Sequence, residues 1–300
     1  MESPARSAEL NLPGPLDLPA SLAPFGRWGD DGIDRWDGHR LLRLARVEGH
    51  PALPYRALPA GPLDQPRVEL AIGSGTAGVD EVVRHVSSTI VPASSALVEL
   101  AREDRAVERL SRAYPGVVPV LVPDPLSALV RSISAQQVKL RWAAEIRRRL
   151  GQRFGRRHLL DGEAVYELVP SALAAATETE LRGLQLTTAK SRAVIACARA
   201  AHEGRLLRSE LASLEDDELI ERLTILPGIG RWSAEWFLAR TLGRPRVVAG
   251  DLGVGKAVAR LYGLAALPSE TEVRRLTAHW GEAASLAQVL ALHDLAVRDA

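Results

Sequence analysis

The residues best placed to do chemistry lie between positions 223 and 262. Leu226-Pro227-Gly228-Ile229-Gly230 reads as a tight turn between two helices, one ending near Thr224 and the next starting at Arg231 or Trp232. Glycines at 228 and 230 permit positive φ and remove side chains that would hold off an approaching backbone. The free amides at the start of the second helix, with the positive dipole end behind them, suit a phosphate oxygen. Ile229 is expected to point inward and pin the turn. Asp251 follows a Gly/Pro-containing loop at the start of a further helix, where a carboxylate caps free amides and is thereby held ionised and aimed. Trp232 and Trp236 lie four apart and share a helical face, and an electron-rich indole face attracts a cation. The chain's three lysines are Lys139, Lys190 and Lys256, so the turn carries no amine nucleophile.

The rest of the chain must position these groups. Its 300 residues are 46% hydrophobic and 25% charged, enough to bury a core and ordinary for a folded protein. The net charge of +1 is unevenly spread: residues 1–115 carry −3 and the remainder +4, almost all from arginine. That permits a phosphate-bearing partner without requiring one. A lone cysteine, Cys197, supplies neither a disulfide nor an iron–sulfur cluster. No apolar run is long enough to span a membrane, and the N-terminus has no secretory h-region, so a cytoplasmic protein is expected.

Residues 1–15, rich in Pro, Ser and Glu, read as an untethered start. Short alternating runs from His39 to Gly73 read as strands, and 76–90 as an amphipathic helix, making 16–90 a small α+β module. From 91 to 300 the pattern is helical throughout: a helix begins at Asp124-Pro125, others are expected at 163–169, 188–203, 231–242 and 284–297, and no strand is expected after Val122. The expected fold is therefore mainly α, an all-α domain preceded by the α+β module.

Taken together, LTILPGIGRWSAEWFLAR and GRPRVVAGDLGVGKAVARLYG resemble the helix–hairpin–helix and following Asp of the helix–hairpin–helix–GPD DNA glycosylases, in the 3-methyladenine DNA glycosylase II branch. LVRSISAQQVKLRW resembles that family's Gln-Gln-Val turn, whose residue enters the duplex where the flipped base was. Gln137 holds that position, with Lys139 replacing a small hydroxyl residue. LRGLQLTTAKSRAV is similar to the Gly-Leu-…-Lys helix, which implies Lys190 on the surface near backbone phosphate. The N-terminal module is similar to that branch's module more weakly. The resemblance implies a monofunctional glycosylase that flips alkylated purines of the 3-methyladenine and 7-methylguanine class from damaged duplex DNA and releases them by hydrolysis. It implies Asp251 as the catalytic carboxylate and Trp232 and Trp236 at the base pocket, one stacking and one packing behind it. Gln137, Lys139, Lys190, Leu226, Gly228, Ile229, Gly230 and Lys256 would lie at the DNA. Trp232 stands where strand-cutting relatives carry a lysine, so no lyase step is implied.

No cofactor is expected, although the hairpin backbone leaves room for a monovalent cation, and a monomer is expected. One departure stands out. Trp280 is kept, but the branch's following Pro-Trp-Arg is replaced by Glu282-Ala283-Ala284, which should widen the pocket. Two other readings stay open: a catalytically silent duplex-binding protein in which Asp251 only caps a helix, and a glycosylase for another lesion such as uracil or hypoxanthine.

Overall fold

The computed structural model describes residues 5–299. The N-terminal part contains β1 (Arg6–Asn11), α1 (Leu18–Gly26), β2 (Arg35–Trp36), β3 (Leu41–Ala45), β4 (Leu53–Ala60), β5 (Arg67–Ile72) and α2 (Val79–Ser88). Its strands form one antiparallel sheet in the order β1-β5-β4-β3-β2. Alternation sets the faces: Val68, Leu70 and Ile72 are buried while Arg67 and Glu69 are exposed.

The untethered start is corrected here. Residues 1–4 lie outside the described residues, but Arg6–Asn11 pair along the whole of β5. The Arg6 guanidinium also donates to the carbonyls of Gly73 and Ala77. An edge strand needs little apolar surface, and here only Leu10 is buried, so polar composition concealed it.

The helical part runs α3 (Ser95–Glu103), α4 (Arg105–Ala113), α5 (Pro125–Ala135), α6 (Leu140–Phe154), β6 (Gly155–Leu160), β7 (Glu163–Leu168), α7 (Pro170–Ala175), α8 (Glu178–Gly183), α9 (Thr188–His202), α10 (Arg208–Ser213), α11 (Asp216–Thr224), α12 (Arg231–Arg240), α13 (Leu252–Leu261) and α14 (Glu270–Thr277). A 3-10 stretch, Ala278–Ala283, then leads into α15 (Ala284–Arg298). The mainly α fold is as expected, but the all-α reading of 91–300 is not. Residues 163–169 form β7 of an antiparallel hairpin instead of a helix. Asp161 and Gly162 both have positive φ, the two-residue Asp-Gly turn that matches strand twist. Leu160 and Val165 of the hairpin pack on Leu42 of β3. A face of β3 that would otherwise meet water thereby becomes interior.

Two larger apolar clusters matter for the site. One runs from the sheet (Tyr55, Ile72) through α5 (Leu129, Ile133) and α9 (Val194) to α12 (Phe237, Leu238). The other joins Leu100 and Val107 to Val254 and Val258 of α13, Val273 of α14, and Trp280. Helices α12 and α13 thus belong to different clusters. The N-terminal module is also tied to α5 and α6 by buried ion pairs. Asp31 accepts from Arg131 at 2.7 Å and Arg147 at 2.9 Å, and Asp34 accepts from Arg43 at 2.8 Å and Arg131 at 2.6 Å. Burial alone would raise the Asp31 carboxyl, but the two arginines and the amides of Asp34 and Ile33 hold it down at about 2.

Candidate active site

The hairpin forms because α11 has no continuation past Thr224, whose hydroxyl donates back to the carbonyls of Ile220 and Glu221. The turn is closed by the Ile229 N–H donating to the Leu226 carbonyl at 3.1 Å. Leu226 and Ile229 are both buried, so the turn is anchored from below. The two glycines prove to have different duties. Gly228 has φ +76, and a Cβ there would lie 2.6 Å from Cβ of Ala193 on α9. This glycine, though exposed, thus has its Cβ position closed off by α9 and serves close packing. Gly230 has φ −97, with nothing within 4 Å of its Cβ position. The open approach is at Gly230, which starts α12 without a side-chain cap. The first-turn amides there have no intrahelical partner and sit at the positive end of the helix.

Asp251 caps α13. Its Oδ1 accepts the Val254 N–H at 3.0 Å, and its Oδ2 accepts the indole Nε1–H of Trp232 at 3.2 Å. The indole therefore presents its donor edge to the carboxylate, not its face. Trp236 packs half-buried against the larger apolar cluster, so of the two tryptophans only Trp232 hydrogen-bonds the carboxylate. Gly250 allows a close fit here: a Cβ would come within 3.1 Å of Glu270 Oε2 and 3.8 Å of the Trp232 ring. Two further carboxylates, one on α12 and one on α14, are both paired. Glu235, fully buried, accepts from Arg231 and from Arg274, which also donates to Glu270. Among the described residues no cationic nitrogen lies within 4 Å of the Asp251 carboxylate, and its hydrogen bonds come from neutral donors.

The Gln-Gln turn lies between α5 and α6. Gln137 is exposed and left-handed, with φ +51. Lys139, also exposed, stands at the N-cap of α6, and Lys256 is exposed on α13. Lys190 departs from expectation. Instead of lying on the surface it is buried, its Nζ donating to the carbonyls of Gln136 at 2.6 Å and Ser134 at 3.1 Å. Burial lowers its pKa. A second residue escaped the sequence reading altogether. Gln136 donates through Nε2 to the Gly228 carbonyl at 2.9 Å, bridging to the hairpin. Two adjacent glutamines at a helix end are the only signal for it, and nothing local says which turns inward.

The widened pocket is also corrected. Trp280 is buried, donating to the Tyr262 hydroxyl at 2.9 Å, which donates in turn to Asp104 at 2.6 Å. Ala283 is fully buried in the same cluster. Of the residues replacing Pro-Trp-Arg, Ala283 and Ala284 thus fill a packed core there, while Glu282 is exposed. Cys197 is buried, which pushes its thiol up to about 12 and keeps it an inert apolar group. No described helix is long and apolar enough to cross a membrane.

The chain is similar to known proteins in sequence and in fold. Residues 130–283, just over half of the chain, match the family described as HhH-GPD superfamily base excision DNA repair protein. A DNA-3-methyladenine glycosylase of Bacillus subtilis (strain 168) is 26% identical over 186 residues, 61% of each chain. DNA-3-methyladenine glycosylase 2 of Escherichia coli (strain K12) is 33% identical over 135 residues, 45% of this chain and 47% of that one. The chain thus spans about half to three fifths of the length of these relatives. Among solved structures, a 3-methyladenine DNA-glycosylase from Archaeoglobus fulgidus superposes with a TM-score of 0.82 over 96% of this chain and 98% of that one. Its identity is 23%, so the likeness is one of fold.

Proposed function

This chain belongs to the HhH-GPD superfamily of base excision DNA repair proteins, and from that membership we propose that it is a monofunctional DNA glycosylase for alkylated purines. It would act as a monomer on damaged duplex DNA, rotating a base of the 3-methyladenine or 7-methylguanine class out of the stack. The observation that carries the reading is the state of Asp251: fixed by two neutral donors and paired with no cation.

Breaking the C1′–N bond of a cationic alkylpurine leaves an oxocarbenium-like sugar, and the departing base needs little protonation. A preorganised negative charge beside that sugar lowers the barrier because it need not reorient as the charge develops. The same carboxylate can accept a proton from the water that attacks C1′. Val254 and Trp232 aim it, and the arginine pairing of Glu235 and Glu270 leaves Asp251 as the free charge. The amides after Gly230 would hold a phosphate, and Gln137 would occupy the space that the flipped base vacates. The chemistry asks for no cofactor. The Leu226 and Gly228 carbonyls already accept from Ile229 and Gln136, so a monovalent cation at the hairpin is not needed to satisfy them.

The test is base release from alkylated duplex DNA by wild type and Asp251→Asn. Asparagine keeps the shape and part of the capping but removes the charge. The single-turnover rate should fall by at least ~100-fold, while binding to an abasic-site duplex is mostly retained. A variant rate near wild type would overturn the assignment. Tight duplex binding with no release of any base would leave the silent DNA-binding protein in its place.

A further inference from the structure

The turn carrying Gln137 and the hairpin carrying Gly230 are far apart in sequence, yet side chains join them directly. Gln136 Nε2 donates to the Gly228 carbonyl at 2.9 Å and reaches Ser233 Oγ, in the first turn of α12, at 3.4 Å. On its other side, the Gln136 carbonyl accepts from Lys190 Nζ at 2.6 Å, and the same ammonium takes the Ser134 carbonyl. The last carbonyls of a helix lack intrahelical partners and form its negative end, so a buried ammonium there both satisfies and attracts them. Ser134 is fixed in turn by Arg147, whose Nη1 donates to its hydroxyl at 3.1 Å while its Nε donates to Asp31.

The residue held by this clamp is unusual. Gln137, exposed at φ +51, adopts a conformation that non-glycine residues keep only where the surroundings over-determine it. The hydrogen bonds next to it are made by its neighbour Gln136, whose carbonyl accepts from Lys190 and whose side chain donates to the hairpin.

We propose that Gln136 and Lys190 are positioning residues that make the phosphate-gripping hairpin and the base-replacing turn one rigid unit. Docking of the hairpin on a phosphate then sets the depth and register at which Gln137 enters the duplex. This rests on the glycosylase reading above for its consequence, but the coupling itself can be measured without catalysis.

The experiment compares wild type with Gln136→Ala, a half-buried surface position, on duplexes carrying 2-aminopurine beside a synthetic abasic site or beside an alkylated purine. Affinity for undamaged duplex should stay within about twofold, because the phosphate contacts remain. The 2-aminopurine unstacking signal and single-turnover release from the paired lesion should fall about tenfold, the scale of one lost hydrogen bond. Release from the same lesion placed unpaired in a bulge, already easier to extrude, should recover to within about threefold of wild type. Lys190→Met should show the same pattern, and Lys190→Arg, which keeps donors, should restore much of the signal. An unchanged unstacking signal in both Gln136→Ala and Lys190→Met would overturn the proposal, as would equal losses on paired and bulged lesions. Wild type releasing no base from any substrate would sink the glycosylase reading alone, and the unstacking comparison would still decide the coupling.

Discussion

Trp232 meets Asp251 edge-on, its indole N–H 3.2 Å from Oδ2. The contact crosses the boundary between two apolar clusters, since α12 packs with the larger and α13 with the smaller. Docking of those clusters therefore sets where the carboxylate points. The indole edge orients the charge, and under the proposed function the ring face would be the part that meets a base.

Trp232→Phe keeps a ring and deletes the donor. The proposed base release should slow by about tenfold to 100-fold, the range for losing a hydrogen bond to a charged group. Trp232→Ala should additionally narrow the preference for cationic over neutral bases by roughly 0.5–2 kcal/mol. Trp236→Ala should instead cost about 2–4 kcal/mol of stability in denaturant titrations, because that ring packs against the core. If Trp236→Ala alters the base preference while Trp232→Ala does not, the two roles are reversed.

The hairpin glycines separate packing from DNA contact. Gly228→Ala places a methyl 2.6 Å from Ala193 at a positive φ, so it should cost about 1–3 kcal/mol and lower Tm. Gly230→Ala meets no atom of the protein. Its Tm should stay near wild type while affinity falls alike for damaged and undamaged duplex, since a phosphate contact reads no sequence. A loss confined to damaged DNA would contradict that role.

Borohydride should trap no covalent DNA adduct. Trp232 occupies the hairpin position, and the buried Lys190 amine is engaged by two carbonyls. An imine would need a free amine at C1′. Efficient trapping, abolished by changing any one of Lys139, Lys190 or Lys256, would replace the hydrolytic reading with a lyase.

The buried Asp31 makes a pH-dependent contribution to stability. Its folded pKa, about 2, lies below the ordinary aspartate value of about 3.9. The contribution is therefore fully present above pH ~4 and is lost as pH falls through about 2. Asp31→Asn leaves Arg131 and Arg147 short of a charge and should cost about 3–5 kcal/mol at neutral pH. Urea titrations should show the gap between wild type and variant shrinking from pH 4 toward pH 2. A gap independent of pH would mean the pair contributes through shape and not charge.

The local signals in the sequence were those tied to backbone chemistry. Gly, Pro and Ile at 226–230 specify a turn wherever they occur, Asp before a helix caps it, and alternation over 67–72 makes a strand. These depend on neighbours a few residues away, so the hairpin, the capping role of Asp251 and the central strands of the sheet were legible. The β6–β7 hairpin was not, although Asp161-Gly162 marks its turn, because its strands become stable only by lying on Leu42. The same limit applies at the site. That Gly228 faces Ala193, that Lys190 is buried under the Gln136 carbonyl, and that Trp232 rather than Trp236 reaches Asp251 are contacts between residues tens of positions apart. Helical spacing puts both tryptophans on one face but cannot say which core that face meets. Packing of the two clusters decided it.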